Sequence, residues 1–466
     1  MEIAFHGAAQ TVTGSKHLIT LPDNTRVLLD CGMFQGLGAD THLLNRHFGF
    51  SIQELDYIIL SHAHIDHSGL IPRIVKEGFR GKIYCTEATY DLCKIMLMDS
   101  AFIQEADVRF VNKRKIKQGK DLLKPIYNQK DAELSLNFFF PIPYNKPHKI
   151  GKNTEFIFTN NGHILGSAAI TLSMQDGSNK KVITYTSDIG RYDSTLMKNP
   201  ESFPQSDVII CESTYGNRLH DDQQHAEQIL LDTVIHTCIN KKGKLIIPSF
   251  SLGRTQEIVF ILNKLQLHGL LPKIPIYVDS PLSADATEVM RKHLQLLNED
   301  VQEFIESRPD PFGFSGLRYI TEKTDSQALN QSNKPCIIIS ASGMAEAGRV
   351  KHHIMHSITN EKNTILIVGY AEPNSLAGKL RSREKEVNIF GEPFQVKADI
   401  IIVDSYSAHA DYLEIERYLK CQCANKINAF FLVHGNKEVQ EDFKKFLQEK
   451  GFKNIHIPTQ HSVYPI

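Results

Sequence analysis

Ser61-His62-Ala63-His64-Ile65-Asp66-His67-Ser68-Gly69 places three imidazoles and a carboxylate within a few residues of each other. Such a group makes a poor apolar core and a good ligand shell for a borderline metal such as zinc, which takes imidazole nitrogen and carboxylate oxygen. The run follows the apolar stretch Tyr57-Ile58-Ile59-Leu60, so it begins at a strand end. In extended geometry residues i, i+2 and i+4 share a side, which lets His62, His64 and Asp66 converge. A turn after Asp66 would bring His67 to the same point. Chance clustering of this many polar side chains at a strand terminus is a weak alternative.

The motif leaves ligand positions open for two metals, so further ligands must come from elsewhere. His163 in NNGHILGSA, Asp188 in YTSDIG, His409 in YSAHAD and His434 in FLVHGN each end an apolar strand or sit in a Gly-containing loop. One such histidine is more often a satisfied structural residue; four groups in matching positions weaken that reading. Asp30, in VLLDCG, is placed to orient a ligand histidine or its loop.

Phosphate contacts have candidates in the middle of the chain. Ser340-Ala341-Ser342-Gly343-Met344 follows the strand CIIIS and precedes a helical segment, so unpaired N–H groups would face an anion. Arg254, in SLGRTQE, opens a helix beside a strand end, and Arg349 is expected one to two turns along the first of these helices. Ordinary capping explains each of them equally well. Lys379, Arg381 and Arg383 add positive charge near the expected domain junction, where a solvated face is an equal alternative. From Arg109 to Lys124 there are seven Lys or Arg and one Asp. This is a solvated helical face or, alternatively, a phosphate-facing edge.

The elements that must position these residues fall into two groups. Strands are expected at IAFHGA, KHLITL, RVLLDCG, YIILS, GKIYC, TEFIFTN, AAITLSM and KVITYTS, the last two joined by a turn at Asp176-Gly177. Helical spacing covers 89–111 and 129–138. After Asp207, VIICES, GKLIIPS, IPIYVDSP, CIIIS and TILIVGY are short continuous apolar runs. Most precede amphipathic segments such as 225–238, 255–267 and 284–297. That alternation predicts a parallel sheet covered on both faces. From Ile400 the chain reads IIVDSYSAHAD, a helix, NAFFLVHGN, a helix and a final strand. The boundaries drawn are 1–214, an insert over 215–402, and 403–466.

The 466 residues include 52 Lys plus Arg, 53 Asp plus Glu, 21 His, 8 Cys and no Trp. At 41% hydrophobic and 23% charged, the chain suits a globular protein with a full core. A net charge of −1 excludes nucleic-acid binding through overall basicity and leaves only local fields. The N-terminus lacks the layout of a signal peptide, and no apolar run reaches the ~18–20 residues of a membrane span. The scattered cysteines, with no CxxC pair, are expected to be free thiols in a reducing, cytoplasmic setting.

The HxHxDH core, with Asp30 before it and His163 and Asp188 after it, resembles the metallo-β-lactamase superfamily. The long insert, opened by Glu212 in VIICESTYGNR and closed by SAHAD and VHGN, resembles the β-CASP branch, which contains RNA-processing nucleases. DSAFIQEAD, PSFSLGRTQE and ASGMAEAGR extend the likeness along the whole chain. The resemblance implies an α/β fold, an αββα sandwich carrying an inserted α/β domain with a parallel sheet. It implies two Zn2+ ions, one held by His62, His64 and His163 and the other by Asp66, His67 and His434, with Asp188 bridging. A water between zincs ~3.5–4 Å apart would become the nucleophile, with Asp66 orienting it or taking its proton. Glu212 and His409 would form an acid/base pair, His409 protonating the leaving 3′-oxygen. The products would carry a 5′-phosphate and a 3′-hydroxyl. Arg254, Ser340, Ser342, Gly343 and Arg349 would bind substrate.

By the same resemblance His434 favours RNA over DNA, because DNA-repair members have an apolar residue there. The chain departs from the family at Gly369–Gly378, where the usual Gly-Thr pair is missing. No RNA-binding module precedes the first strand, so grip is expected from the cleft between the domains. The function implied is a zinc ribonuclease of RNA processing or decay acting on single-stranded RNA, with no membrane partner and a homodimer left open. The alternatives are a DNA nuclease, a non-catalytic RNA-binding subunit, or a thioester or lactam hydrolase that would need neither the insert nor Glu212 and His409.

Overall fold

Strands that bury both faces and strands that bury one are written differently in the chain, and they sort accordingly. The computed structural model describes residues 1–466 except Leu37, Ala39, Gly177, Ser178, Asp221, Asp222, Tyr370 and 404–406, and it leaves the side chains of 176, 179 and 223–225 undescribed. The turn expected at Asp176-Gly177, Tyr370 of the atypical loop, and part of IIVDSYSAHAD therefore lie outside the described residues. The chain divides into two compact units, Met1–Leu219 with His409–Ile466, and His220–Ala408.

In the first unit the described residues form two seven-stranded sheets. One runs Ser462–Pro465, Glu2–Gly7, Lys16–Thr20, Arg26–Leu29, Tyr57–Ile59, Lys82–Cys85, Phe139–Pro141. The other runs Ile455–His456, Ala429–Val433, Val208–Glu212, Asn179–Tyr185, Ala168–Asp176, Thr154–Asn160, His148–Ile150. Their inner faces share one core: Ile3, Phe5, Val27 and Ile59 pack with Phe156, Ile170, Ile183 and Phe431. The strand Val208–Glu212 shows why its sequence is continuously apolar. Val208 and Ile210 face this core, whereas Ile209 and Cys211 pack beneath the helices Tyr412–Leu419 and Lys437–Glu449 with Ile415, Leu419, Phe443 and Leu447. Each such side chain, fully buried, contributes about 1.5–3 kcal/mol. Two sheets between helical layers make an αββα sandwich.

The second unit holds a six-stranded sheet in the order Leu317–Tyr319, Ile276–Val278, Cys336–Ser340, Lys244–Pro248, Thr364–Val368, Asp399–Val403. Every pairing in it is parallel. Cys336–Ser340, Lys244–Pro248 and Thr364–Val368 are buried at every position, as helix-covered parallel strands are.

Helix limits differ from the spacing signal in ways with local causes. The helix expected over 89–111 is Glu87–Lys117, started by Thr86, whose hydroxyl accepts from Thr89 N, and continued past its apolar half by Lys and Arg. The one expected from 284 begins at Pro281, with Ser280 capping Ser283 N. The segment at 225–238 is an α-helix, Gln223–Val234, that widens into a π-helix at Ile235–Asn240. The helix after Ser340 does not start at once. Ala345 and Gly348 take left-handed φ of 56° and 78°, which an α-helix cannot contain. Arg349 is therefore the first residue of Arg349–Ser357 rather than one or two turns inside it.

Candidate metal centre and active site

Strand direction gathers the candidate ligands. Thr154–Asn160, Asn179–Tyr185, Val208–Glu212 and Ala429–Val433 all run the same way in one sheet, because the first two flank an antiparallel partner and the rest pair in parallel. Their C-terminal ends therefore deliver His163, Asp188, Glu212 and His434 to one edge. In the facing sheet Arg26–Leu29 and Tyr57–Ile59 are parallel and deliver Asp30 and the histidine motif.

The motif itself is not extended as far as Asp66. The strand ends at Ile59, and Ile65–Ser68 is a short helix following His64, with His67 N donating to His64 O at 3.0 Å. The chain turns before Asp66, not after it, so Asp66 and His67 enter from a helical turn. That turn is fastened to the loop after Asp30. Ser15 N donates to Asp66 O, Cys31 N to His67 O and Met33 N to Ile65 O, at 2.7–2.9 Å. Gly32 is required there, since a Cβ would stand 1.6 Å from Asp66 O. Gly190 serves the other side: a Cβ on it would lie 1.9 Å from Gly162 O, and its N–H donates to Asn161 O at 2.8 Å. The Asp188 and His163 loops are thereby held together.

Two donor sets result. His64 Nδ1 lies 3.1 Å from His62 Nε2 and 3.3 Å from His163 Nε2. Asp188 Oδ2 stands 3.6 Å from His62 Nε2 and 3.5 Å from His163 Nε2. On the other side His67 Nε2 and His434 Nε2 are 3.3 Å apart, and Asp66 Oδ2 is 3.5 Å from His434 Nε2. Asp188 Oδ2 is 3.3 Å from His67 Nε2, so one carboxylate adjoins both sets. Ligands 2.0–2.1 Å from a tetrahedral zinc would be about 3.3 Å from one another. The buried Asp188 Oδ1 has no hydrogen-bond partner among the described residues. Nitrogen lone pairs and carboxylate oxygens converging at these separations fit a divalent cation in each set.

Outer partners hold the candidate ligands in orientation. Asp30 accepts from Ser61 N and Oγ at 2.7 and 2.8 Å and from Tyr185 OH at 2.9 Å, and its Oδ2 is 2.7 Å from His67 Nδ1. With its Nδ1 engaged by Asp30, His67 aims Nε2 at the site. His62 Nδ1 is engaged by Ser61 Oγ at 3.0 Å and Ser187 Oγ at 3.3 Å.

Charge follows from burial and neighbours. Burial lowers His62 and His163 well below the ordinary histidine value and His64 to about 4, which favours the neutral form that a metal ion would need. Burial alone would raise Asp188 and Asp66. Nearby histidines outweigh it, holding Asp188 well below the usual carboxylate range and Asp66 at about 2. His67 is raised well above its ordinary value despite burial, because Asp188 and Asp30 flank it. The surroundings of this ring attract positive charge.

Glu212 and His409 meet beside these sets. His409 Nδ1 is 3.1 Å from Glu212 Oε2 and 4.0 Å from Asp188 Oδ2. Glu212 is buried, and its Oε1 also accepts from Ile189 N. Burial lowers the His409 pKa, but the Glu212 carboxylate more than compensates and holds it at about 9. The Glu212 carboxylate thus favours the protonated form of this ring.

The five residues expected at substrate all belong to the second unit. Ser340 ends its strand and donates from Oγ to Asp279 O at 2.8 Å. Ser342 and Gly343 follow in the turn, half-buried, with Gly343 against the Phe250 ring. Arg349 Nη1 donates to Asp279 Oδ1 at 2.7 Å and to Ile320 O at 3.1 Å, and Arg254 pairs with Glu257. They stand at C-terminal ends of parallel strands, where open α/β sheets bind ligands. Sequence reasoning missed Asp279, whose carboxylate anchors Arg349 and, at 2.6 Å, His353. It also missed Thr214, which touches His434 at 3.0 Å. Their positions, at a strand end before Ser-Pro and directly after Glu212-Ser213, were the available signals.

Family models match at residues 14–150 (metallo-beta-lactamase superfamily), 255–380 (Beta-Casp domain) and 394–458 (Zn-dependent metallo-hydrolase RNA specificity domain). A ribonuclease of Thermus thermophilus is 31% identical over 97% of this chain and 97% of its own. An RNase J-like protein of Methanocaldococcus jannaschii is 32% identical over 98% of this chain and 97% of its own. The transcription termination factor FttA of Methanosarcina mazei is 28% identical over 97% of this chain and 69% of its own. A solved structure of a protein of unknown function from Enterococcus faecalis shares the fold, with a TM-score of 0.53 and 11% identity over 99% of each chain. The chain belongs to the β-CASP branch of the metallo-β-lactamase superfamily.

Proposed function

We propose that this protein is a ribonuclease that hydrolyses phosphodiester bonds of single-stranded RNA, in RNA processing or decay, with two zinc ions. The observation that carries this reading is the Glu212–His409 pair, set at 3.1 Å beside the Asp188 carboxylate. A lactam or thioester hydrolase needs no such paired acid. The names of the Thermus and Methanocaldococcus relatives, ribonuclease and RNase J-like, support RNA as substrate.

His62, His64 and His163 would hold one zinc and Asp66, His67 and His434 the other, with Asp188 shared. Zinc supplies Lewis acidity there, offsetting phosphate charge and acidifying water. Asp66 orients the attacking water or takes its proton. As the new bond to phosphorus forms, the bond to the 3′-oxygen breaks, and His409 donates its proton to that oxygen. Glu212 keeps the His409 ring charged until then. Ser342, Gly343, Arg254, Ser340 and Arg349 line the second unit's contribution to substrate binding, the two arginines through their helix starts as much as through guanidinium groups already engaged by Asp279 and Glu257.

Metal analysis coupled to cleavage of end-labelled RNA tests the reading. His409→Ala is expected to keep two zincs per chain and lose most cleavage, whereas Asp188→Ala loses both. Protein with two bound zincs that leaves RNA intact while hydrolysing a thioester would overturn it.

A further inference from the structure

The helix Glu87–Lys117 continues well past the part that packs. Leu92, Cys93, Leu97 and Ala101 are buried, but Phe102, Ile103, Phe110, Val111 and Ile116 are exposed, Phe110 by 78%. The same stretch begins the strongly basic run 109–124, in a chain whose net charge is −1. Lys113, Arg114 and Lys117 are exposed and make no ion pair among the described residues, and Arg109 has only Glu105 at 3.8 Å. Basic residues in a last helical turn offset the helix dipole. That accounts for some of the charge but for none of the exposed aromatic surface.

The arrangement around the axis selects the partner. At 3.6 residues per turn, Lys113, Lys117, Phe110 and Arg114 fall within an arc of about 100°. Charge and ring therefore share one face. A helix lying on a membrane separates an apolar face from a basic one, which this stretch does not do. Single-stranded nucleic acid asks for the mixture found here, cations for the phosphates and rings on which bases stack. The helix also starts at the active site: Thr86 and Thr89 hydroxyls both donate to Gly166 O, at 2.7 and 2.9 Å, in the loop that follows His163. Phe110 lies about 35 Å along the axis from Glu87, at 1.5 Å per residue.

We infer that the exposed second half of this helix is an additional contact for single-stranded RNA, holding the strand several nucleotides away from the bond to be cut. The inference rests on RNA being the substrate. It makes affinity depend on RNA length, and it places part of the grip outside the metal centre.

The test is fluorescence anisotropy with a short and a long labelled oligouridine, on the full chain carrying His409→Asn to prevent cleavage. Replacing Lys113, Arg114 and Lys117 by Gln should weaken binding of the long oligomer and reduce the slope of log K against log salt by about 2. Binding of the short one should be unchanged. Phe110→Ala should weaken the long complex about tenfold. With His409 intact, the triple variant should cleave the short substrate as before. Equal long-oligomer affinity and salt slope in variant and parent would overturn the inference. So would a triple variant whose only change was in oligomeric state, in vesicle binding or in capture of an acidic protein. A parent chain that bound neither oligomer would remove the ribonuclease reading and this contact together.

Discussion

The Thr214 hydroxyl lies 3.0 Å from both the carbonyl oxygen and the Nδ1 of His434. With the hydroxyl proton donated to the carbonyl, the hydroxyl oxygen is free to accept Nδ1–H. That arrangement favours the tautomer with an Nε2 lone pair facing Asp66 and His67.

Removing that hydroxyl should weaken a metal site without touching a ligand. Thr214→Val is expected to lower affinity for one zinc by about 10–100-fold, the usual cost of losing an outer-shell partner. Competition with a chromophoric chelator would measure it. Unchanged affinity for both ions would mean that the ring orients itself.

The proposed acid/base pair predicts a pH dependence. His409 is held at about 9 by Glu212 against the lowering effect of burial. An acid must be protonated to act, so cleavage should persist through neutral pH and fall as pH rises through the His409 pKa. Glu212→Gln removes the charge that raises it, and the alkaline limb should move to lower pH. A pH–rate profile of the two proteins decides this. An unmoved limb would assign the proton to another group.

Lys16 predicts a pH dependence of stability rather than of rate. Burial lowers its amine to about 7, although it donates to Gly14 O at 2.7 Å and Gly32 O at 2.8 Å. Between about 7 and the ordinary lysine value the unfolded chain binds a proton that the folded chain does not. Stability contributed here rises with pH through that window, by about 2 kcal/mol between pH 7 and 9. Denaturant unfolding of the parent and Lys16→Met should diverge in that direction. Parallel pH profiles would locate the charge elsewhere.

Asp279 is buried between Arg349 and His353. Asp279→Ala removes the carboxylate that Arg349 and His353 share, while Arg349 keeps Ile320 O and Thr321 O and His353 keeps Asn330, and it should cost about 1.5–3 kcal/mol in the second unit. Zinc content should hold, since every proposed ligand lies in the first unit. Limited proteolysis with metal analysis would follow both. Loss of zinc would show the units to be coupled.

The chemistry of the ligands was written locally. His62, His64, Asp66 and His67 are neighbours in sequence, and ligand type depends only on side-chain identity. Strand identity was local too, because VIICE, CIIIS and TILIV are continuous apolar runs that only doubly covered strands require. What the chain alone left open was direction. The extended spacing suggested convergence of His62, His64 and Asp66, whereas a helical turn at Ile65 carries Asp66 and His67 in, pinned by backbone bonds from Ser15, Cys31 and Met33. Similarly, Arg349 starts its helix because two left-handed residues precede it. The tautomer of His434, the burial that neutralises His62 and His163, and the pairing of His409 with Glu212 across 197 residues arise only in the folded state. Each depends on contacts between segments far apart in sequence, and no local pattern encodes the distance at which two such segments meet.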